Sequence, residues 1–277
     1  MIFVLVPAYN EAPTVGLLLW KVRQVFTAFP REYQLLVVND GSTDGTDEVL
    51  APYTRALPLT LVTHRERKGY GRSVEELLRL AVSRTDRPRR DLAVLLQADF
   101  SDSPDDIPEL VRRIESGADL ALADYRRRPG LGWLDALARR LVSRARRRSG
   151  PGDQPADCVC TLKAMRIVTL ARTFSERGSH AVVQADGWAA DAELLLAAAR
   201  HARRVDVVPV TSPVPVRRRP RRARPLRAAW AAWQVLRRHH RADGPQQPVV
   251  GPRPRGRRAR LERGEARAQP PESVHSA

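Results

Sequence analysis

Two apolar runs, each ending abruptly in a polar loop, constrain the fold of this chain more than any other feature. Residues 33–38 are apolar and β-branched enough for a strand buried on both faces. The run stops at Asn39-Asp40-Gly41-Ser42-Thr43-Asp44-Gly45-Thr46, a loop rich in glycine, carboxylate and hydroxyl groups. Residues 1–6 make an earlier run of the same kind, followed by Pro7-Ala8-Tyr9-Asn10-Glu11-Ala12 and then by Leu and Val at helical spacing over 14–29. Two such strand ends, about thirty residues apart, predict consecutive βα units of a parallel sheet. Ligands of open α/β sheets bind at the carboxyl ends of the strands. Asp40 would stand there, able to accept hydrogen bonds from the N–H of a base, and the glycines would let the backbone approach a ligand. The same loop also reads as a plain strand–turn–helix connection, with Asp44 or Thr46 capping the next helix.

The pattern continues along the chain. Strands are expected at 57–63, 92–96, 117–124 and 205–210, with an amphipathic helix over 73–82. Ser103 followed by Pro104 reads as a helix start. The predicted class is α/β: a mostly parallel sheet flanked by helices.

Charge divides the chain. Of a net +17, residues 211–277 contribute +13, from 17 arginines against four acidic residues. That stretch is also rich in proline and reads as a largely disordered basic extension. The organisation expected is a domain over 1–212, a Trp/Arg helix over 213–241 and a Pro/Arg-rich tail over 242–277. Cys158 and Cys160, two residues apart, are poorly placed to pair and suggest a reducing compartment and small core side chains. A C-x-C half-site lacks further metal ligands. No apolar run approaches the roughly 20 residues of a membrane span, and the N-terminus, with no basic flank, reads as a first strand and not a signal peptide. Only three lysines occur, and Lys68 and Lys163 both fall in motif regions.

Val6-Pro7-Ala8-Tyr9-Asn10-Glu11, with Val37-Val38-Asn39-Asp40-Gly41-Ser42-Thr43-Asp44-Gly45-Thr46 one βα unit later, resembles the inverting family-2 glycosyltransferases of GT-A fold. The likeness is strongest to the dolichyl- and polyprenyl-phosphate mannosyl- or glucosyltransferases, and it extends over about residues 1–212. It implies a nucleotide-sugar site formed by Pro7, Ala8, Tyr9, Glu11, Asp40, Lys68, Gln97, Ala98 and Asp99. Lys68 lies in His64-Arg65-Glu66-Arg67-Lys68-Gly69-Tyr70-Gly71, which is similar to the family's Asn-x-Gly-Lys-Gly segment. Gly69 and Gly71 are expected to loosen this turn.

Gln97-Ala98-Asp99 falls on the family's Asp-x-Asp motif, whose first carboxylate is here an amide. The resemblance implies a Mg²⁺ or Mn²⁺ ion held by Asp99, with Gln97 and Ser101, against the leaving diphosphate. Asp102 is close enough in sequence to substitute for the missing carboxylate. Arg126, Arg139, Arg140 and Ser143 fall on family positions that hold the acceptor phosphate, a task suited to arginine's fork of donors. Asp157-Cys158-Val159-Cys160-Thr161-Leu162-Lys163-Ala164-Met165-Arg166 is a looser match, to Asp-x-x-x-Gly-Phe-Arg-x-Tyr-Arg. Gly187 to Leu195 resembles Gly-x-x-x-Asp-x-Glu-Leu-Leu, with Asp191 placed as a base for a hydroxyl acceptor. As plain structure, Asp191 and Glu193 suit the positive end of a helix.

The catalytic residues implied are thus Asp99, Asp191 and Arg126. The enzyme expected is an inverting one, using a nucleotide-sugar and a lipid-phosphate acceptor, cytoplasmic and peripheral to the inner face of a membrane. Two alternatives stay open: a soluble hydroxyl acceptor, or a non-catalytic nucleotide-sugar-binding homologue. Leu226, Trp230, Trp233 and the surrounding arginines suit a membrane interface or packing back on the domain. The basic runs would bind polyanions without specificity, and no nucleic-acid fold accompanies them.

Overall fold

Strand β1 (Ile2–Ala8) is buried along all seven residues, as its uninterrupted apolar sequence requires of a central strand covered on both faces. It runs parallel to β2 (Tyr33–Asn39) on one side and to β4 (Leu92–Leu95) on the other. The strand ends two residues later than expected, because it runs through Pro7. Ala8 accepts from Asp40 N on the β2 side, so Pro7, one residue earlier, turns its missing N–H toward β4. The ladder to β4 has ended by then at the Leu5–Leu95 pair, and the proline costs no hydrogen bond there.

This computed structural model describes residues 1–124, 160–209 and 230–235. The chain divides into two units, Met1–Gly244 and Pro245–Ala277, and all of the described residues belong to the first. After β1 come helix α1 (Ala12–Ala28), β2, the short helices α2 (Thr46–Leu50) and α3 (Tyr53–Ala56), then β3 (Leu59–Thr63) and α4 (Tyr70–Arg84). β4 leads through a 3₁₀ turn at Pro104–Asp106 into α5 (Ile107–Glu115) and β5 (Leu120–Asp124). Ser103 Oγ accepts from Asp105 N at 3.2 Å, the helix start that Ser-Pro announces. β6 (Lys163–Arg166), α6 (Ile167–Arg177), α7 (Trp188–Ala199) and β7 (Val205–Pro209) complete the set.

The sheet has seven strands in the order β3-β2-β1-β4-β6-β5-β7. β6 is the exception to the parallel rule, running antiparallel to both β4 and β5. Sequence patterning supplies six strands and misses this one. Lys163-Ala164-Met165-Arg166 has a charge at each end and no apolar run, yet its first three residues are buried. Leu5, Leu35, Leu36 and Leu95 are fully buried at the sheet centre, each contributing about 2 to 3 kcal/mol of apolar transfer. α4 starts three residues earlier than expected, which brings Tyr70 and Gly71 into its first turn.

Candidate active site

Four loops meet at the carboxyl ends of β1 to β4. The order β3-β2-β1-β4 reverses direction between β1 and β4, the place where open α/β sheets form their ligand crevice.

The first two loops are sewn together. Asn10 takes a left-handed backbone (φ 53°), which asparagine tolerates better than most residues. Its N–H then donates to Ser42 Oγ at 2.9 Å, and its side-chain oxygen accepts from Thr43 N at 2.7 Å. Glu11 N donates to Thr46 Oγ1 at 2.9 Å and Ala12 N to Asp44 Oδ2 at 3.3 Å. Asp44 also accepts from Thr46 N at 3.2 Å, but the N-cap of α2 is Gly45 and takes no side-chain cap bond, so neither Asp44 nor Thr46 caps the helix as the plain reading expected. The buried Glu11 carboxylate accepts from Thr14 Oγ1 at 2.9 Å. Pro7, Ala8, Tyr9 and Glu11 are thereby fixed beside the Asp40 loop.

Asp40 is buried and holds the third loop. Its Oδ1 accepts from Lys68 N at 2.8 Å and meets His64 Nδ1 at 2.8 Å, while Oδ2 accepts from Gly69 N at 2.9 Å. Burial alone would raise its pKa, but His64 and the two main-chain donors outweigh burial and hold it below the ordinary aspartate value. His64 meets Glu76 Oε2 through its other nitrogen at 2.8 Å. A carboxylate offers about four acceptor positions, so three partners leave room for a fourth. Gly41 is required twice over, for its φ of +65° and because a Cβ there would lie 2.6 Å from Arg67 N. The Arg67 guanidinium covers the Tyr9 ring at 4.5 Å. The Lys68 side chain is exposed.

The fourth loop follows β4. Phe100 is buried in a left-handed conformation (φ 57°), a strained choice for an aromatic residue and one that clusters at ligand sites. Asp99, half-buried, accepts from Ser101 N at 2.9 Å. Asp102 faces inward and is 1% exposed. It accepts from Thr161 Oγ1 at 2.8 Å and from Gln97 N at 3.3 Å. It therefore ties the loop to the segment that carries Thr161.

Behind this loop runs a polar chain, buried at Lys163 and Asp191 and half-buried at Tyr70 and Gln97. Lys163 Nζ donates to Asp191 Oδ1 at 2.7 Å, with the two side chains 1% and 2% exposed. Tyr70 O–H donates to the same oxygen at 3.1 Å, and the Tyr70 oxygen accepts from Gln97 Nε2 at 2.8 Å. Burial works against the Lys163 ammonium, yet Asp191, with Cys160 and Asp102, brings its pKa above the ordinary lysine value. Burial and then Asp191 push the Tyr70 phenol well up. Asp191, read from sequence as a base, is thus the shared acceptor of a lysine and a tyrosine.

The segment over residues 182–186 lies across the start of α4. Glu75 accepts from Val182 N at 3.3 Å and Val183 N at 3.1 Å, and Glu193 from Gln184 N at 2.7 Å and Ala185 N at 2.9 Å. Asp186 Oδ1 accepts from Gly71 N at 3.1 Å. A Cβ on Gly71 would sit 2.0 Å from Ala185 O. Gly71 therefore serves close packing and does not loosen the turn.

Arg126, Arg139, Arg140 and Ser143 lie outside the described residues, as does Cys158. Cys160 is buried and forms no disulfide among the described residues. Residues 230–235 are helical, with Ala232 buried in the core, Trp230 58% exposed, and Trp230 and Trp233 stacked at 4.8 Å. No helix among the described residues is long and apolar enough to cross a membrane. Sequence reading missed His64, Tyr70 and Thr161 as site residues. The scarcity of lysine was the one signal pointing to Lys163.

Asp99, Gln97 and Ser101 offer hard oxygen donors, which fit Mg²⁺ or Mn²⁺. Among the described residues no three His, Cys, Asp or Glu side chains gather as a metal cage. A cation there would take its remaining ligands from a diphosphate and water, the usual habit of Mg²⁺.

The family model described as Glycosyl transferase family 2 matches residues 3–173. An undecaprenyl-phosphate 4-deoxy-4-formamido-L-arabinose transferase of Pseudomonas paraeruginosa is 29% identical over 68% of this chain and 54% of its own length. Its namesake in Aeromonas hydrophila subsp. hydrophila is 25% identical over 68% of this chain and 56% of its own. The chain therefore spans little more than half the length of these relatives. Among solved structures, glucosyl-3-phosphoglycerate synthase from Mycobacterium tuberculosis, in complex with Mn²⁺, UDP and glucosyl-3-phosphoglycerate, superposes with a TM-score of 0.57. The match is at 19% identity and covers 85% of this chain and 78% of that one. The mostly parallel sheet expected from the sequence is thus, with β6 antiparallel, the mixed sheet of a GT-A fold.

Proposed function

The chain belongs to glycosyl transferase family 2, and from that membership we propose that it transfers a sugar from a nucleoside-diphosphate sugar to a polyprenyl phosphate. The observation that carries this reading is the meeting of the β1, β2 and β4 loops at the switch point of the sheet, with Asp40 and Asp99 on either side of β1. The relatives' names, both undecaprenyl-phosphate transferases, support the acceptor.

In this reading Asp40 uses its remaining acceptor position for the base N–H, beside Pro7, Ala8 and Tyr9. Asp99 and the Gln97 oxygen, with Ser101, hold Mg²⁺ or Mn²⁺, which when bound offsets charge on the departing diphosphate. Lys68, exposed next to Asp40, adds a cation on the nucleotide side. Arg126, Arg139 and Arg140, with Ser143, hold the acceptor phosphate. A phosphate oxygen attacks the anomeric carbon opposite the leaving group; the bond to the nucleoside diphosphate breaks and configuration inverts. The acceptor is already an anion, so no base is needed. That agrees with an Asp191 occupied by Lys163 and Tyr70, and it speaks against the soluble hydroxyl acceptor. A membrane's inner face is the proposed place of work.

The test is nucleoside diphosphate release from a panel of sugar nucleotides, with and without polyprenyl phosphate and Mn²⁺. Release that requires the lipid is expected. Asp99→Ala should lower turnover by about a hundredfold or more, the loss seen when one group facing developing charge is removed, with the thermal midpoint unchanged. Near-full turnover in that variant would sink the Asp99 assignment.

A further inference from the structure

The polarity of the chain of contacts behind the β4 loop dictates which end of the Gln97 amide meets a ligand. Lys163 has only protons to give, and it gives one to Asp191 Oδ1 at 2.7 Å. The ionised carboxylate can only accept, so the single proton of the Tyr70 hydroxyl points to it, at 3.1 Å. With that proton committed, the Tyr70 oxygen must accept. The group at 2.8 Å is therefore the Gln97 amide nitrogen. A planar amide with its nitrogen turned to Tyr70 turns its oxygen away, and no partner among the described residues takes up that oxygen.

We propose that Lys163 is a positioning residue: through Asp191 and Tyr70 it locks the Gln97 amide so that its carbonyl oxygen faces a divalent cation bound with a nucleoside diphosphate. In place of the motif's first carboxylate the chain presents a neutral oxygen of fixed direction. The amide's two ends differ in kind, since one accepts and the other donates, so without the lock the cation must itself hold the oxygen toward it. The chain of contacts also gives a tyrosine at the first turn of α4 and a lysine inside the sheet a shared polar task.

This inference rests on the proposed nucleotide-sugar reading, and one experiment separates their failures. Mn²⁺ binding to the full chain is titrated in the presence of saturating UDP, by the loss of the free-ion electron spin resonance signal. UDP affinity without metal is measured alongside. Tyr70→Phe keeps the ring and removes the link. It should weaken Mn²⁺ about tenfold, the scale on which partners of metal ligands act, while metal-free UDP affinity holds. Gln97→Ala should cause a similar loss, and Tyr70→Phe added to Gln97→Ala should cause no further one. Lys163→Met should behave as Tyr70→Phe if it folds; Tyr70→Phe decides the matter where it does not. If the unaltered chain binds no nucleoside diphosphate, UDP or any other of the panel, and no Mn²⁺ with one, the nucleotide-sugar reading falls and takes this inference with it. If it binds both, but Tyr70→Phe binds Mn²⁺ as well as the unaltered chain or the two losses add, the positioning role falls alone.

Discussion

Asp40 and Asp191 are buried to nearly the same degree, 3% and 2% exposed, but the two sides of the sheet keep them ionised in different ways. On the β3-β2-β1 side, Asp40 is surrounded by main-chain N–H groups and one imidazole, all supplied by the single loop of residues 64–69. On the β4-β6-β5 side, Asp191 faces a full ammonium carried in by an antiparallel strand. Main-chain donors are dipoles whose strength hardly depends on side-chain identity, so the first arrangement tolerates change around it. The second depends for its charge balance on one side chain, Lys163, and without it a charge is left stranded in the interior.

Lys163→Met should expose this difference most. It leaves Asp191 without its cation and should destabilise the domain by about 3 to 5 kcal/mol. Lys163→Met combined with Asp191→Leu should recover most of that loss, because an apolar pair of similar volume often replaces a buried ion pair at no cost. Denaturant unfolding of both variants checks this, and a double variant no more stable than the single one would show that the pair is not what stabilises this side.

Gly71→Ala tests the joint between the sides. The added methyl meets a main-chain oxygen that cannot yield cheaply, so a loss of about 1 to 3 kcal/mol is expected, with the 182–186 segment displaced. Faster amide hydrogen exchange at Gln184 and Ala185 would register the displacement; unchanged protection there would refute it.

The smallest effect belongs to Asp40→Asn, about 1 to 2 kcal/mol for one mismatched hydrogen-bond donor. Its sign with pH is specific. The native pKa of Asp40 lies below the ordinary value, so its contribution is present above the ordinary aspartate value of about 4 and fades as pH falls through the lower native one. The stability gap between the parent chain and Asp40→Asn should therefore close below about pH 4. A gap that stays constant into acid would deny Asp40 its role as an ionised anchor.

The same contrast decides what could be read in advance. The Asp40 side is a repeat of strand, polar loop and helix, and each strand there is a run of apolar residues long enough to recognise. Its loop glycines and carboxylates stand close together in sequence, so the crevice was legible before any coordinates. The other side hides its logic. β6 is four residues long and opens on a lysine that belongs in a core only because Asp191, 28 positions later, is there to meet it. Hydrophobic patterning cannot register such a strand, since the burial depends on a partner and not on the residue. Gly71 reads from sequence as loosening its turn for a related reason: the Ala185 carbonyl that forbids a side chain comes from a distant segment. The contact between Asp102 and Thr161 is hidden in the same way, because 59 positions separate them.

The way residues 182–186 are attached has an evolutionary consequence. Glu75 and Glu193 grip this segment by its amide protons alone, so the grip does not inspect the side chains of Gln184 or Ala185. Mutations at Gln184 leave the anchorage in place while altering what the segment presents beside α4. Relatives could diverge here without first losing the fold, which makes this stretch a place where selectivity can drift at little risk to stability.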